Sequence, residues 1–209
     1  MTVQEGYQVL AEMKATLAAR GWLRATSGNL SVRLDANRIA ITASGTDKQR
    51  VRPDDVLVVD MSGRAIGDAP ARASQETGIH LGIYGRTRAG AVFHVHTVFN
   101  NSVGEDGPWL EFQDHEMLKA LGHDEPSPLR LPVLVNDPDL ARLAKEAVRR
   151  LDPAVPGLLL RRHGVYAWGD TAPDALRHLE AFEFLFEWMY YQGLRASVVR
   201  NDHSAVQPA

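Results

Sequence analysis

Cysteine is absent from the sequence, and this absence excludes several classes of protein together. A chain without thiols forms no disulfide scaffold, no cysteine-ligated zinc site, no iron–sulfur cluster and no cysteine nucleophile. Any metal must therefore be held by histidine, aspartate or glutamate side chains.

An excess of charge of either sign is also missing. The chain has 26 acidic and 23 basic residues, which gives a net charge of −3 at pH 7. This balance indicates neither a polyanion-binding surface nor a disordered acidic chain. We therefore expect no nucleic-acid partner.

Long apolar runs are lacking as well. The first twenty residues carry charges among their apolar positions, at Glu5, Glu12, Lys14 and Arg20. This is not the layout of a secretory signal. Elsewhere charge or proline interrupts each apolar stretch before the roughly 18 residues that a membrane helix needs. We expect no membrane partner and a cytoplasmic location.

The apolar residues that are present suffice for one sizeable core, since they make up 44% of 209 residues. Their spacing predicts strands over 38–42, 55–60, 90–96, 131–135, 158–161 and 165–168. It predicts helices that end at Gly21 or cover 74–88, 114–121, 138–151 and 173–194. Asp114 is expected to cap one helix, Pro138 to open the next, and residues 25–31 to form a turn.

Strands occur in adjacent pairs rather than in strict alternation with helices. This order predicts a layered α/β domain with a mainly antiparallel sheet and disfavours a dinucleotide-binding fold. No linker divides the chain. We expect one domain over residues 1–195 and a tail over 196–209.

The sharpest chemical feature is the pair His94 and His96, separated by one residue on a predicted strand. Alternate residues of a strand point to one face, with Cα atoms about 6.5–7 Å apart, so both imidazoles can reach one ion. A half-exposed strand with two outward polar residues explains the pair equally well. His163 lies between two predicted strands, where a turn can aim a third imidazole at the same ion, although it can also be a plain turn residue. The remaining histidines, His80 among them, are expected at the surface or behind the site.

Two glutamates are candidates for proton transfer. Glu116 begins a predicted helix some twenty residues after the histidine pair, and Glu76 shares a helical face with His80. Acidic residues are also favoured in any first helical turn. Separately, glycine stands beside hydroxyl or amide side chains at 26–30 and 43–46, and Ser74 precedes a helix. Such turns let backbone N–H groups approach a phosphate, although turn chemistry alone also produces them.

The chain resembles the class II aldolase/adducin family in five motifs and in their order. These motifs are Thr26-Ser-Gly-Asn-Leu-Ser31, Thr42-Ala-Ser-Gly-Thr46, Ser74-Gln-Glu-Thr-Gly-Ile-His80, His94-Val-His96 and Arg162-His-Gly164. The match covers most of residues 1–195, and the resemblance implies a three-layer αβα domain.

The resemblance also implies one zinc ion per subunit, held by His94, His96 and His163, and a small sugar phosphate as the substrate. The residues expected by resemblance to hold the phosphate are Gly28, Asn29, Ser44, Gly45 and Ser74. A homo-oligomer is implied, typically a tetramer with sites near subunit boundaries. The aromatic cluster Trp188, Tyr190 and Tyr191 fits such an interface, or equally a buried helix.

The resemblance assigns the acid/base differently in two branches of the family. In the aldolases a glutamate after a Ser-Ser pair has this role, and the matching place reads Ser74-Gln75-Glu76, with the second serine replaced. In the sugar-phosphate dehydratases it lies in a Glu-Met-Leu/Ile-Lys motif, which matches Glu116. Residues 114–121 and 163–169 look most like the dehydratases, so we expect Glu116 to be the acid/base and Glu76 its substitute. An aldolase of fuculose- or ribulose-phosphate type and a non-catalytic adducin-like module are the alternatives.

Overall fold

A computed structural model describes residues 1–47, 52, 55–67 and 73–204, with side chains as far as Ala196. In this part of the chain eight strands form one sheet in the order β3-β2-β1-β4-β8-β7-β6-β5. They are β1 Asn29–Arg33, β2 Arg38–Thr42, β3 Val56–Asp60, β4 Ala91–Val95, β5 Trp109–Phe112, β6 Leu129–Leu134, β7 Gly157–Leu160 and β8 Gly164–Gly169. All neighbouring pairs are antiparallel except β6 with β7, which confirms the predicted sheet.

Helices cover both faces of the sheet. They are α1 Val3–Ala19, α2 Thr77–Arg86, α3 Val98–Ser102, α4 Leu140–Arg150 and α5 Ala172–Ser204, together with a 3₁₀ helix, Glu116–Leu121. One apolar core joins α1, α5 and the 3₁₀ helix to one face, with α3 packed on α5, and a second core joins α2 and α4 to the other face. The expected three-layer αβα fold is thereby confirmed.

The alternation of strand residues decides what faces each core. On β4, Phe93 and Val95 point towards α1 and α5, whereas Val92 points towards α2 and α4. His94 shares the face of Val92 because side chains alternate along a strand. On the neighbouring β8, Tyr166 lies on that same face. The polar residues considered below therefore lie between the sheet and α2.

Several predicted boundaries are wrong. Asp114 caps no helix: it has a positive φ of 58°, and the 3₁₀ helix begins after His115. Asp139, whose side chain accepts from the N–H groups of Ala141 and Arg142, caps α4, so Pro138 lies before the helix.

Other differences concern whole segments. Residues 29–33 form β1 instead of continuing the expected turn, and both α3 and β5 were not predicted. The last helix extends to Ser204, so the expected tail from 196 is helical as far as 204, and residues 205–209 lie outside the described chain. Among the described helices, none combines the length and apolar character needed to cross a membrane.

Candidate metal centre

The three candidate histidines meet where β4 ends and β8 begins. The two strands pair antiparallel, with Val95 opposite Val165, so the residues after β4 lie beside those before β8. His94 lies in β4 and His96 follows its last residue, while His163 occupies the turn before β8. Gly164 permits this approach, because a Cβ there would lie 2.5 Å from the backbone oxygen of Val95. The neighbouring Arg162 takes a left-handed φ of 52° to complete the turn.

Glu76 adds a carboxylate to the three imidazoles. It precedes the first residue of α2 and is only 12% exposed. Its Oε1 lies 2.9 Å from Nε2 of His163 and 3.6 Å from Nε2 of His94. One ligand atom from each of Glu76, His94, His96 and His163 lies within 4.8 Å of all the others. This places three nitrogens and one oxygen around a single point.

Backbone and side-chain acceptors orient two of the rings. Nδ1 of His94 donates to the backbone oxygen of Val165 at 3.0 Å, and Nδ1 of His163 lies 3.1 Å from Oδ1 of Asn136. Since a carbonyl oxygen only accepts, Nδ1 of His94 carries the proton and Nε2 keeps its lone pair. That Nε2 lies 2.7 Å from Nε2 of His96. Such outer hydrogen bonds are what orients imidazoles towards a metal ion.

The charge states also suit a cation. Burial lowers the pKa of His94 to about 4 and that of His96 to about 3, so both rings are neutral at pH 7. Burial opposes ionisation of Glu76, but His94, His163 and the hydrogen bond from Asn29 outweigh it and hold the pKa of this carboxyl well below its usual range. Neutral imidazoles and an ionised carboxylate are the forms that bind divalent metals. The donor set therefore fits a metal ion.

A cavity of about 400 Å³ opens beside the cluster. It brings together all five residues expected to hold phosphate with three members of the cluster: Gly28, Asn29, Ser44, Gly45, Ser74, Glu76, His96 and His163. Gly28 has a φ of 78°, and a Cβ there would lie 2.7 Å from the backbone oxygen of His94. Only glycine fits this approach. Leu140, the first residue of α4, contributes an apolar side chain to the same cavity.

Asn29 also makes contacts within the chain that the sequence did not indicate. Its Nδ2 donates to Oε2 of Glu76 and, at 3.3 Å, to Oγ of Ser74, while its Oδ1 faces Nε2 of His80. The side chain is thus bound to protein groups on both ends. Within this chain Asn29 acts on Glu76.

Glu116 does not join the cluster of this chain. Its side chain is 84% exposed and pairs with Lys119 at 2.8 Å. The 3₁₀ helix that carries it packs on α5, on the face of the sheet opposite to α2. Next to it, the ring of His115 meets Trp188 edge-on, with 4.4 Å between centroids.

Tyr166 is a site residue that the sequence did not indicate, and His80 was expected only at the surface or behind the site. The Tyr166 ring stacks on His94 with centroids 3.9 Å apart, and its buried hydroxyl makes no hydrogen bond within the described residues. Burial, together with the Glu76 charge, raises the pKa of this phenol well above its usual value. The period of two along β8 could have placed Tyr166 beside the histidines. His80 is fully buried behind Asn29, and only its spacing of four from Glu76 pointed there.

Comparisons with known proteins agree with this geometry. Residues 8–190 match the family described as Class II Aldolase and Adducin N-terminal domain. The chain is 46% identical over 193 residues to a protein named methylthioribulose-1-phosphate dehydratase from Persephonella marina, a match that covers 89% of each chain. A protein of the same name from Geobacillus kaustophilus is 42% identical, covering 89% of this chain and 91% of the other.

A solved structure resembles the fold. The l-fuculose-1-phosphate aldolase from Thermus thermophilus superposes with a TM-score of 0.74 at 27% identity, covering 91% of this chain and 96% of the other. The resemblance drawn from the five sequence motifs is confirmed by these matches. The chain belongs to the class II aldolase and adducin family.

Proposed function

We propose that this chain is a metal-dependent hydro-lyase that dehydrates 5-methylthioribulose 1-phosphate to 2,3-diketo-5-methylthiopentyl 1-phosphate, a step of methionine salvage. The observation that carries the proposal is the convergence of three imidazoles and one carboxylate at the edge of a glycine-lined cavity. Relatives that carry the dehydratase name at 46% and 42% identity support this choice of substrate.

The proposed metal is zinc, one ion per subunit, held by His94, His96 and His163. Three imidazoles are typical ligands of catalytic zinc, and the Glu76 carboxylate would lie beside an ion that they held. When bound, the ion polarises the ketose carbonyl and stabilises the negative charge that develops as the neighbouring carbon loses its proton.

The chain's own groups hold the phosphate end of the substrate. Ser44 and Ser74 supply hydroxyl donors, and the turns at Gly28 and Gly45 bring backbone N–H groups to the cavity without an intervening side chain. The first turn of α2 follows Ser74, and the positive end of the helix dipole favours an anion there. Asn29 supports this end indirectly, through Ser74.

Proton transfer is assigned to Glu116. In the overall reaction the C3 proton and the C4 hydroxyl leave as water, and the resulting enol tautomerises to the 2,3-diketone. Glu116 takes the proton from C3 and returns a proton to the departing hydroxyl. Glu116 is exposed and lies on the other face of the sheet from the cluster of its own chain, so the assignment requires it to act at the site of a neighbouring subunit in the homotetramer that the family resemblance implies. The exposed aromatic residues Trp188 and Tyr191 of α5 supply contact area for such an assembly.

Glu76 is the second candidate for the acid/base, and one observation favours it: its carboxylate lies 2.9 Å from Nε2 of His163 within the same chain. Mixing subunits separates the two assignments. Hybrid tetramers of His94→Ala and Glu116→Gln subunits regain activity if Glu116 acts across the boundary, since some sites then combine an intact cluster with an intact Glu116. Hybrids that stay as inactive as their parents contradict action across the boundary.

The second candidate function is a class II aldolase, which the structural likeness to the fuculose-phosphate aldolase favours. Incubating zinc-loaded protein with methylthioribulose 1-phosphate, and in parallel with fuculose 1-phosphate and ribulose 1-phosphate, separates them. Diketone absorbance that appears with methylthioribulose 1-phosphate and with neither of the other two substrates supports the dehydratase. Carbon–carbon cleavage of the others supports the aldolase. No turnover of any of them at micromolar enzyme favours the non-catalytic, adducin-like module.

A further inference from the structure

A continuous hydrogen-bonded chain of buried side chains leads away from Glu76 between the sheet and α2. Nδ2 of Asn29 donates to Glu76, and Oδ1 of Asn29 meets Nε2 of His80. Nδ1 of His80 lies 2.7 Å from Oγ of Ser31, which lies 2.9 Å from the hydroxyl of Tyr84. All four side chains beyond Glu76 belong to residues that are at most 4% exposed.

Two regular spacings in the sequence bring these hydrogen-bonded side chains together. Glu76, His80 and Tyr84 are spaced by four, so α2 presents them on one face. Asn29 and Ser31 are spaced by two, so β1 presents them on one face as well. The two faces meet, and the residues alternate between helix and strand along the chain of bonds. No other pairing of these side chains is needed to account for their burial.

The direction of every bond follows from one end. Nδ2 of the Asn29 amide donates to Glu76, and its Oδ1 faces His80. Nε2 of His80 therefore donates. Burial lowers the pKa of His80 to about 4, so the ring is neutral and its Nδ1 accepts. Ser31 then donates to His80 and accepts from Tyr84.

No other arrangement of these hydrogen bonds is available without cost. A buried donor or acceptor left without a partner costs about 1–3 kcal/mol, so reversing any one bond is disfavoured unless all of them reverse. A complete reversal would place the carbonyl oxygen of Asn29 against the Glu76 carboxylate. The Asn29 amide is therefore held in one orientation, and with it one oxygen of Glu76.

We propose that Asn29, His80 and Ser31 form a positioning relay that fixes the Glu76 carboxylate beside the histidine cluster. The relay rests on the proposed function in one respect: its effect on kcat requires that the Glu76 carboxylate takes part in the reaction at the histidine cluster. His80 is a positioning residue: it belongs neither to the histidine cluster nor to the residues that line the cavity, and it acts through Asn29, which does line the cavity.

Neutron diffraction from crystals of the zinc-loaded protein tests the relay without any assay of activity. The expected result is deuterium on Nε2 of His80, none on Nδ1, and the hydroxyl of Ser31 directed at Nδ1. Deuterium on Nδ1 of His80 overturns the assignment, because Ser31 or Asn29 would then have to reverse.

Kinetics of two substitutions at one position test the positioning role. His80→Leu removes both bonds and is expected to lower kcat about 10- to 100-fold with KM nearly unchanged and zinc retained. His80→Gln keeps a donor and an acceptor and is expected to recover most of the loss. The matched control is His178→Leu, which removes a histidine bonded to the backbone oxygen of Trp168 at the opposite end of β8 and is expected to leave kcat unchanged within about twofold.

Two results overturn the positioning role: a folded His80→Leu with wild-type kcat, or equal losses in the Leu and Gln variants. If His80→Leu does not fold, Ser31→Ala removes the outer bond at little change in volume and is expected to lower kcat severalfold; a wild-type kcat there overturns the role too. The substrate used is whichever one the wild-type protein converts. If the wild type converts none while the neutron result stands, the proposed function fails and the hydrogen-bonded relay does not.

Discussion

Replacing Glu183 by glutamine tests how a buried carboxyl supports the turn after His96. Glu183 lies on α5 and is 4% exposed. Its carboxyl accepts from Oγ1 of Thr97 and from Nδ2 of Asn100, both at 2.7 Å. Thr97 and Asn100 form the capping box of α3, directly after His96. The carboxyl therefore ties α5 to the segment that carries the metal centre.

The pKa of Glu183 gives the sign and size of the expected effect. Burial raises the pKa from 4.5 to about 7, although the bonds from Thr97 and Asn100 oppose the rise. A folded-state pKa above the unfolded value means that the folded protein binds the proton more tightly. This contribution to stability is full below pH 4.5 and is lost as the pH rises to about 7. The loss amounts to about 3 kcal/mol over this window.

Glutamine removes this pH dependence while it keeps the contacts. Its Oε1 can accept from Asn100, and its Nε2 can donate to the Thr97 hydroxyl, which also accepts. We expect Glu183→Gln to resemble the wild type near pH 4.5 and to exceed its free energy of unfolding by up to about 3 kcal/mol at pH 8.

The assay is urea unfolding of both proteins at intervals between pH 4.5 and 8. The quantity of interest is the difference between variant and wild type, because carboxyls common to both proteins cancel. Glu12→Gln, exposed on α1, is the control and is expected to give a flat difference. A flat difference for Glu183→Gln as well would show that the Glu183 carboxyl does not lose stability as it ionises.

Three further substitutions are expected to act as follows. Glu116→Gln keeps its zinc and loses turnover by about 100-fold or more, measured by steady-state kinetics beside elemental analysis; an intact rate together with an inactive Glu76→Gln reverses the two roles. Gly28→Ala lowers the free energy of unfolding by roughly 1–3 kcal/mol in urea titrations, because of its positive φ and its contact with the backbone of His94, and an unchanged value contradicts the contact. Tyr166→Phe raises the free energy of unfolding by about 1 kcal/mol if its buried hydroxyl, which has no partner at hydrogen-bond geometry within the described residues, is unsatisfied; a loss of stability would show that the hydroxyl donates to the nearby Glu76 carboxylate.

The spacing of residues along strands and the residue types at turns predicted much of the site. The spacing of two between His94 and His96, and a turn that aims His163, anticipated the cluster because both depend on local geometry. The glycine turns also lie where expected, at one cavity. In each case neighbours along the chain determine the position of the side chain.

Features that depend on distant contacts were harder to predict. Asn29-Leu-Ser31 has turn-like residues, but β1 pairs with both β2 and β4, and these ladders override local preference. His80 is buried only because β1 and α2 meet. The position of Glu116 depends on a 3₁₀ helix packed on α5, which spacing from the histidine pair does not reveal.

The predicted helix ends were wrong for a related reason. Asp114 and Asp139 are both acidic residues near a helix start, yet only Asp139 has an extended backbone that lets its side chain reach the free N–H groups. Residue type alone does not distinguish them. The end of α5 at Ser204 likewise has no stop signal in the sequence, because no glycine or proline follows Gly193 before Pro208.

Anomalous scattering at the zinc edge, recorded from crystals of the protein supplied with zinc, shows whether the three histidines hold the ion. We expect one peak per chain, bonded at about 2.0–2.1 Å to ring nitrogens of His94, His96 and His163. A peak located elsewhere, or none at this cluster, would contradict it.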